Sequence, residues 1–267
     1  MAKTTPVVRL KMAKVRTLIL RAPGTNCDME TAFAFQQAGA ITSQVHVNQL
    51  IRREEQLSDY QILVIPGGFT YGDDISAGKV LANELKLKLG EDIQNFIDRG
   101  GLILGICNGL QVLVKAGILP GTHNGGGQAI TLAANDSGRF ECRWVCLKVN
   151  QDSPCLFTKG IESLYLPVAN GEGKVVATSE ALADLNIVLY YTDEHGNTNA
   201  GYPYNPSGSV GDIAGICDSS GRIFALMPHP ERHIRGTQHP RWTREGAKKY
   251  GDGFQIFLNA VNWAKKL

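Results

Sequence analysis

Short apolar runs alternate with helix-spaced apolar positions along the first half of the chain. Three apolar runs and one run of alternating apolar and polar residues predict β-strands, because each is bounded by Gly, Pro or polar residues. Between them, apolar residues three and four positions apart predict helices. The predicted strands are Arg16–Ala22, Ile41–Val47, Gln61–Ile65 and Leu102–Ile106. The predicted helices end at Ala38, span Ile75–Leu89 and Asp92–Arg99, and begin again at Asn108.

This alternation predicts an α/β fold with a mostly parallel, doubly wound sheet that helices cover on both faces. Such sheets carry their chemistry on the loops that follow the carboxyl ends of strands. Three of these loops contain glycine here, namely Ala22–Thr25, Pro66–Phe69 and the turn at Cys107. They are the first places to look for functional residues.

The second half has shorter, β-like runs separated by turns. We expect these runs to extend the same sheet as an antiparallel meander, and Asp218–Gly221 to be the turn of a hairpin. The predicted strands are Arg143–Val149, Tyr165–Val168, Val175–Ala177, Ile187–Tyr191, Ile213–Cys217 and Ile223–Met227. An amphipathic pattern predicts a last helix over Phe254–Lys265. No linker-like segment separates the halves, which favours a single domain.

Composition excludes several classes of function. The 267 residues have a formal net charge of +2 with 19% charged residues, so no strong field favours nucleic acid as a partner. No apolar run reaches the length of a membrane span. The six cysteines are scattered without the spacing of a zinc site, and the polar N-terminus lacks the pattern of a signal peptide. We therefore expect free thiols in the cytoplasm, no membrane association and no metal site.

Cys107 lies at a predicted corner between the strand Leu102–Ile106 and the helix that follows. The string G-I-C-N-G at 105–109 has glycine on either side of the cysteine, as a strained nucleophile elbow requires. A helix N-terminus also favours the thiolate, which is the reactive form. The alternative is a structural thiol in a glycine-rich turn. This motif alone leaves the two interpretations about equal.

His229 and Glu231 supply the other groups that a cysteine nucleophile needs. Two prolines flank His229, so we expect an extended segment in which residues 229 and 231 project to the same side. A carboxylate beside an imidazole orients it and stabilises the imidazolium. A surface turn with an ordinary ion pair is the alternative, and it would be preferred if Cys107 were absent.

The glycine pair Gly67–Gly68 follows another predicted strand. Amides at such a turn, together with the backbone N–H of Asn108, could form an oxyanion hole for a tetrahedral intermediate. A tight turn would also require glycine, so this motif is weak by itself. The three motifs together, each after a strand, predict acyl transfer with Cys107, His229 and Glu231 as the catalytic residues.

These motifs resemble those of the triad, or class I, glutamine amidotransferases. Within that class the chain is similar to the family of glutaminase subunits of phosphoribosylformylglycinamidine synthases. The strings that carry the closer resemblance are G-F-T-Y-G-D at 68–73, G-R-F-E-C-R-W at 138–144, N-G-E-G at 170–173, N-P-S-G-S at 205–209 and M-P-H-P-E-R at 227–232. The resemblance implies a flavodoxin-like fold and one amidotransferase domain over residues 15–267, after an N-terminal extension over 1–14.

The resemblance also implies a reaction and partners. Cys107 would form a γ-glutamyl thioester with L-glutamine and release ammonia to a synthetase subunit, with a small accessory subunit also possible. ATP and magnesium would bind to the synthetase, which acts on formylglycinamide ribonucleotide in purine synthesis, and this chain would hold no cofactor. The residues implied in substrate binding are Phe69, Gln111 and Phe140, although a packing role for Phe140 is nearly as plausible.

Some features depart from that family or leave other functions open. The family usually has His where this chain has Asn170, and the segments 123–132 and 238–250 look like insertions. The same three catalytic residues could serve another triad amidotransferase or a γ-glutamyl hydrolase. A non-catalytic interaction subunit of the same fold is the alternative from a different class, although the intact catalytic residues argue against it.

Overall fold

The structure is a computed structural model that describes residues 14–121 and 130–267. Two of the predicted features lie outside these residues. One is the N-terminal extension, apart from its last residue, and the other is the glycine-rich loop Asn124–Gln128.

The strands and helices largely follow the predicted alternation in the first half of the chain. The strands are β1 (Arg16–Arg21), β2 (Ile41–His46), β3 (Ile62–Ile65), β4 (Leu102–Ile106), β5 (Ile130–Ala133), β6 (Glu141–Val149), β7 (Ser163–Asn170), β8 (Lys174–Ala177), β9 (Asn186–Thr192), β10 (Ile213–Cys217) and β11 (Ile223–Leu226). The helices are α1 (Asp28–Gln37), α2 (Val47–Ile51), α3 (Lys79–Lys88), α4 (Gly90–Asp98), α5 (Asn108–Lys115), α6 (Ser179–Ala183), α7 (Trp242–Glu245) and α8 (Phe254–Ala264).

Nine strands form one mixed sheet in the order β2-β1-β3-β4-β11-β10-β9-β6-β7. The first five are parallel to their neighbours, and the remaining pairs are antiparallel. The predicted α/β fold with a parallel doubly wound core and an antiparallel extension is therefore confirmed. The predicted hairpin is the β10–β11 pair, and β11 also joins β4 in parallel.

One predicted part of the antiparallel extension was wrong. The strand over Val175–Ala177 lies in β8, which pairs with β5 in a separate two-stranded sheet. Strand β5 occupies part of the segment 123–132 that was interpreted as an insertion. The alternating pattern showed that residues 175–177 form a strand, but it carried no information about their partner.

The helix predicted over Ile75–Leu89 begins four residues later, at Lys79. Ile75 and Gly78 have positive φ values of 71° and 72°, which a right-handed helix does not accommodate. The last predicted helix is confirmed as α8, with its end one residue earlier, at Ala264.

The parallel part of the sheet is buried on both faces. Every residue of β3 and β4 is buried, as expected for strands covered by helices on both sides. On one side, Phe35 of α1 meets Phe257 of α8 edge to face, with ring centroids 5.0 Å apart. Among the described residues, no helix combines the length and apolarity needed to cross a bilayer.

The order of the parallel strands brings four loops together at one edge of the sheet. These loops follow the carboxyl ends of β1, β3, β4 and β11, which are neighbours in the sheet. They carry, in that order, Cys27, Gly67–Phe69, Cys107 and His229. Residues separated by as many as 202 positions along the chain therefore meet at one site.

Candidate active site

Cys107 lies at the corner between β4 and α5. Its backbone has φ 51° and ψ −104°, which is an unfavourable conformation for a residue with a side chain. Its N–H donates to the carbonyl of Leu226 at the end of β11, 2.8 Å away. The strained residue is therefore held by the sheet itself, with the helix beginning at the next residue.

The two glycines on either side of Cys107 are required by close packing. A Cβ on Gly105 would lie 2.6 Å from Cδ1 of Leu113 and 2.9 Å from the backbone of Gly109. A Cβ on Gly109 would clash with the carbonyl oxygen of Ile65 in β3. The first turn of α5 consequently lies directly against the sheet, which is the elbow geometry that the sequence pattern predicted.

The Cys107 side chain is nearly enclosed, with 5% of the residue exposed. Its sulfur lies 3.7 Å from the carbonyl oxygen of Ala169 near the end of β7. The sulfur is also at the N-terminal end of α5, where the helix dipole and free N–H groups stabilise negative charge. The helix N-terminus therefore suits a nucleophilic sulfur at this position.

His229 and Glu231 form a buried pair. Nδ1 of His229 lies 2.6 Å from Oε1 of Glu231, and each residue is 1% exposed. The backbone N–H of His229 donates to the carbonyl of Pro167 in β7, at 2.8 Å, which fixes the segment against the sheet edge. The imidazole is thus anchored at both its backbone and its Nδ1 atom.

The backbone around this pair differs from the predicted extended segment. His229 itself is extended, with φ −104° and ψ 90°, but Pro230–Arg232 forms a short 3-10 turn. The expectation of an extended segment was therefore wrong for residues 230–232, whereas the expectation that the side chains of His229 and Glu231 lie together is confirmed. The turn brings the two side chains together because Pro230 fixes its φ near the helical value.

The charges around His229 favour its protonated form. Burial alone disfavours the imidazolium, but the carboxylate of Glu231 and the sulfur of Cys107 outweigh it and raise the pKa of His229 well above its usual range. Because Nδ1 of His229 is paired with Glu231, Nε2 is the nitrogen available for proton exchange with Cys107. Nε2 is buried and has no hydrogen-bond partner among the described residues.

The glycines after β3 lie against the imidazole. A Cβ on Gly67 would be 2.8 Å from Cε1 of His229. The carbonyl oxygen of Gly67 accepts the N–H of Cys27 at 3.1 Å, and Gly68 forms an isolated bridge with Thr25. The loop after β1 therefore holds the Gly67–Gly68 turn in place.

The amides that were predicted to form an oxyanion hole remain unused. Within residues 14–121 and 130–267, neither the N–H of Gly68 nor the N–H of Asn108 donates a hydrogen bond. The Asn108 side chain is engaged, since its Oδ1 accepts the hydroxyl of Thr70 at 2.7 Å. Thr70 thereby links the residue after the nucleophile to the loop that carries the glycine pair.

Gln111 is buried rather than facing solvent, with 3% of the residue exposed. Its Nε2 donates to the carbonyl of Glu172 at 2.6 Å, and its Oε1 accepts from Nδ2 of Asn108 at 2.8 Å. Both ends of the side chain are therefore used within the protein. Gln111 connects the helix of the nucleophile to the turn at 171–173, through which it could shape a substrate pocket.

Phe69 and Phe140 come together at the surface. Their ring centroids are 6.2 Å apart, and the residues are 43% and 52% exposed. They differ in this respect from Cys107, His229 and Glu231, which are buried. The two rings form an exposed apolar pair beside the loops that carry the site, where a substrate or a partner protein could cover them.

Two functional candidates were missed by the sequence patterns. Cys27 lies behind the imidazole of His229, with its sulfur 3.9 Å from Nδ1, and Nη2 of Arg232 donates to this sulfur at 3.0 Å. The glycine-bearing loop after β1 was the only signal for Cys27. Arg232 was visible only as the last letter of M-P-H-P-E-R.

Cys27, His229 and Glu231 also have the donor atoms of a metal site. One donor from each lies within 4.8 Å of the others, and all three residues are buried. The surroundings suit proton transfer better, since the imidazole and carboxylate are already paired and the sulfur accepts from the cation of Arg232. A positive guanidinium at this distance opposes binding of a further cation.

Asn170 occupies a buried position at the end of β7, next to Ala169. Both its Oδ1 and its Nδ2 lack hydrogen-bond partners among the described residues, although the residue is only 3% exposed. Its side chain fills the space beside Gly173. Asn170, where the resembled family usually has His, is therefore next in sequence to Ala169, whose carbonyl contacts Cys107.

Comparisons with known proteins agree with this geometry. A family model described as a CobB/CobQ-like glutamine amidotransferase domain matches residues 14–264. Phosphoribosylformylglycinamidine synthase subunit PurQ of Dehalococcoides mccartyi is 60% identical over 256 residues, which cover 96% of this chain and all of that protein. The PurQ subunit of Methanococcus maripaludis is 45% identical over 268 residues, with 94% and 98% of the two chains covered.

Solved structures give the same result for the fold. A chain in the structure of PurLQS from Thermotoga maritima superposes with a TM-score of 0.72 and 34% identity, covering 94% of this chain and 99% of that one. A glutamine amidotransferase from Thermotoga maritima has a TM-score of 0.56 at 16% identity, with 95% and 98% covered, and shows the fold alone. The resemblance inferred from the sequence motifs is confirmed, and the chain belongs to the CobB/CobQ-like glutamine amidotransferase family, among the PurQ subunits of phosphoribosylformylglycinamidine synthase.

Proposed function

We propose that this chain is the glutaminase subunit of a phosphoribosylformylglycinamidine synthase. It hydrolyses L-glutamine to glutamate and ammonia and passes the ammonia to a synthetase subunit. The observation that carries the proposal is the buried His229–Glu231 pair, 2.6 Å apart, in the same site as a strained Cys107 at a helix N-terminus. The PurQ relatives indicate which reaction such a site would catalyse.

The proposed chemistry proceeds through a thioester. The Cys107 thiolate attacks the side-chain amide carbon of glutamine, and the tetrahedral oxyanion is stabilised by the amides of Gly68 and Asn108. As the C–N bond breaks, Nε2 of His229 donates a proton to the leaving nitrogen, while Glu231 stabilises and orients the imidazolium. Water activated by His229 then cleaves the C–S bond, giving glutamate and the free thiol.

The remaining site residues have proposed positions in this scheme. Gly67 gives the imidazole room by lacking a side chain, since a Cβ there would meet His229. Phe69 and Phe140 would cover the glutamine entrance from the surface. Gln111 would act through its hydrogen bond to Glu172, which fixes the 171–173 turn beside β7.

The partners follow from the relatives. The Thermotoga maritima structure is described as PurLQS, and a synthetase subunit is the proposed receiver of ammonia here, with a small accessory subunit in the same complex. ATP and magnesium would bind to that synthetase, where formylglycinamide ribonucleotide becomes the amidine. This chain would need no cofactor for glutamine hydrolysis, and we propose that it acts in the cytoplasm.

The test is glutamate release in the complex with the synthetase. The parent complex should release glutamate and form the amidine from glutamine. Cys107→Ala should abolish both reactions, while the exposed Cys142→Ala serves as the matched control and should keep them. With added ammonium salt, the Cys107→Ala complex should still form the amidine, because only the ammonia source is lost.

Other outcomes would contradict the proposed function. Glutamate release by Cys107→Ala at the parent rate would remove Cys107 from the reaction. A substrate panel in which γ-glutamyl peptides are preferred over free glutamine would instead indicate a γ-glutamyl hydrolase. No glutamate release by the parent complex would indicate an interaction subunit of the same fold.

A further inference from the structure

Glu231 is a carboxylate without access to solvent. Its side chain is fully buried, and its Oε2 has no hydrogen-bond partner in the described part of the chain. A buried carboxylate is costly unless cations and donors compensate its charge. The His229 imidazole compensates Oε1, but during catalysis this imidazole must give up its proton. A second positive group beside the carboxylate would compensate its charge at that moment.

Arg232 is placed to supply this charge. Its Nε lies 3.9 Å from Oε1 of Glu231 and 3.8 Å from Oε1 of Glu30 in α1. Its Nη2 donates to the sulfur of Cys27 at 3.0 Å. The guanidinium is thus held by groups from the loop after β1 and from α1, rather than lying free on the surface.

Cys27 suits the role of a neutral acceptor. Burial raises the pKa of its thiol, although a hydrogen bond with His229 works in the other direction, so the sulfur remains protonated near neutral pH. Its S–H donates to Oδ1 of Asn26 at 3.1 Å, which leaves the sulfur lone pairs to accept from Arg232. The residue is completely buried and fills the space between the imidazole and α1.

We propose that Arg232, held by the sulfur of Cys27 and by Glu30, is a positioning residue that compensates the buried carboxylate of Glu231 and thereby orients His229. The proposal rests on the proposed function, because it concerns the same glutaminase site. It adds Cys27, from the loop after β1, and Arg232, from the turn after His229, to the residues proposed to act in catalysis. Their effect on catalysis is indirect, through the carboxylate.

An ordinary surface ion pair is the competing explanation for Arg232. About a third of its side chain is exposed, and solvent-screened pairs contribute little. The pair differs from a surface pair because Glu231 is fully buried and because the guanidinium also bonds to a buried sulfur. A surface pair predicts no change in catalysis when Arg232 is replaced, so the two explanations can be separated.

The first test replaces Arg232 in the complex with the synthetase and follows glutamine hydrolysis against pH. Arg232→Met should lower kcat by about fivefold to tenfold with KM close to the parent value, because screening limits the contribution of a partly exposed cation. The acid limb of the kcat profile should move to higher pH, because removing a nearby positive charge favours proton uptake by the His229–Glu231 pair as a unit. Arg232→Lys should recover part of kcat, because it restores charge without the planar fork.

The charged and titratable groups facing the His229–Glu231 pair are Cys107, Cys27, Arg232 and, one step away, Glu30. The matched control is Arg235→Met, which also removes one positive charge, three residues along the chain. The Arg235 guanidinium lies over the ring of Phe33, 4.8 Å from its centroid. If Arg232→Met gives the same kcat and acid limb as Arg235→Met, the proposal is overturned.

The second test asks whether Cys27 acts through Arg232. Cys27→Ala should lower kcat in the same direction as Arg232→Met, and Cys27→Ser should lower it less, because the hydroxyl can still accept. The double variant Cys27→Ala with Arg232→Met should be no slower than Arg232→Met alone, since the two residues act as one unit. If the losses in kcat of the two single variants multiply in the double variant, the proposed link through the sulfur is overturned.

Thermal melting of each variant separates loss of fold from loss of positioning. The proposal expects Arg232→Met to retain the parent Tm within a few degrees while kcat and the acid limb change. A fall in activity that simply tracks a fall in Tm would overturn it. A parent complex that hydrolyses no glutamine would instead refute the proposed function, so the two failures are distinguishable.

Discussion

In the proposed mechanism, the charge state of His229 decides the chemistry of this site. His229 is buried, and burial by itself would favour a neutral imidazole. Glu231 and Cys107 reverse that preference and raise the pKa of His229 well above its usual range. In the proposed reaction, a protonated His229 would supply the proton that the leaving nitrogen requires.

Replacing Glu231 by Gln should show how the pKa of His229 depends on the Glu231 carboxylate. The substitution keeps the shape and a hydrogen bond but removes the charge that raises the pKa of His229. We expect kcat for glutamine hydrolysis to fall by about a hundredfold or more. The alkaline limb of the kcat/KM profile should move to lower pH, because the imidazolium then loses its proton earlier.

Glu245→Gln is a suitable control for this measurement. Glu245 is an exposed carboxylate paired with Arg241 on the surface, so its replacement should leave both limbs in place. An alkaline limb in Glu231→Gln that coincides with that of the parent would contradict the assigned role of Glu231.

At the residue scale, the sequence predicted what is local and missed what is distant. His229 and Glu231 are two positions apart, and the prolines around His229 marked the segment as unusual. Cys27 and His229 are separated by 202 positions, and no periodicity connects them. Their contact depends on β1, β3, β4 and β11 lying next to each other, which is a property of the sheet.

The elbow between β4 and α5 is the element that fixes the nucleophile. Helix α5 packs so closely on β3 that Gly109 has no room for a Cβ against the carbonyl of Ile65. Helix propensity alone would favour Ala at this position by about 1 kcal/mol. The steric clash should outweigh the helix propensity, so Gly109→Ala should lower the free energy of unfolding by about 1–3 kcal/mol.

Gly90→Ala provides the opposite case for comparison by thermal and urea unfolding. Gly90 is the first residue of α4, and a Cβ there would meet nothing within 4 Å. This variant should be neutral, or more stable by up to about 1 kcal/mol. Equal stability of Gly109→Ala and Gly90→Ala would mean that α5 does not require its close approach to β3.

At the element scale, the predictable parts were those with strong short-range patterns. The strands β1, β3 and β4 and the helices α1, α5 and α8 were all visible as apolar runs or helical periods. The pairing of β5 with β8 was not visible, because it joins segments more than forty residues apart. Helix α3 begins late because Ile75 has a positive φ. The sequence gives no reason to expect this conformation at a β-branched residue.

At the scale of the whole molecule, the loops around the site are tied to one another. Thr70 bonds to Asn108, and the 171–173 turn is held by Gln111 and by Lys115, whose Nζ lies 3.7 Å from Oε2 of Glu172. A protein that docks over these loops would act on the oxyanion amides and the nucleophile together. This connection gives a physical route by which a synthetase could control glutamine hydrolysis.

The isolated chain should therefore hydrolyse glutamine more slowly than the complex. A misplaced oxyanion donor costs roughly 10²–10³ in rate, so we expect stimulation of this order when the synthetase is added. Glutamate release at saturating glutamine, with and without the synthetase, measures the effect. Equal rates in the two conditions would contradict control by the partner.

The choice of nucleophile is the central claim, because two buried cysteines lie beside His229. Cys107 has the strained elbow and the helix N-terminus, whereas burial raises the pKa of the Cys27 thiol and so disfavours its reactive thiolate form. The most direct measurement is peptide mapping by mass spectrometry after brief treatment of the complex with a diazoketone analogue of glutamine. We expect one equivalent of label on Cys107, with glutamine protecting it. Label on Cys27, or label spread evenly over the six thiols, would contradict it.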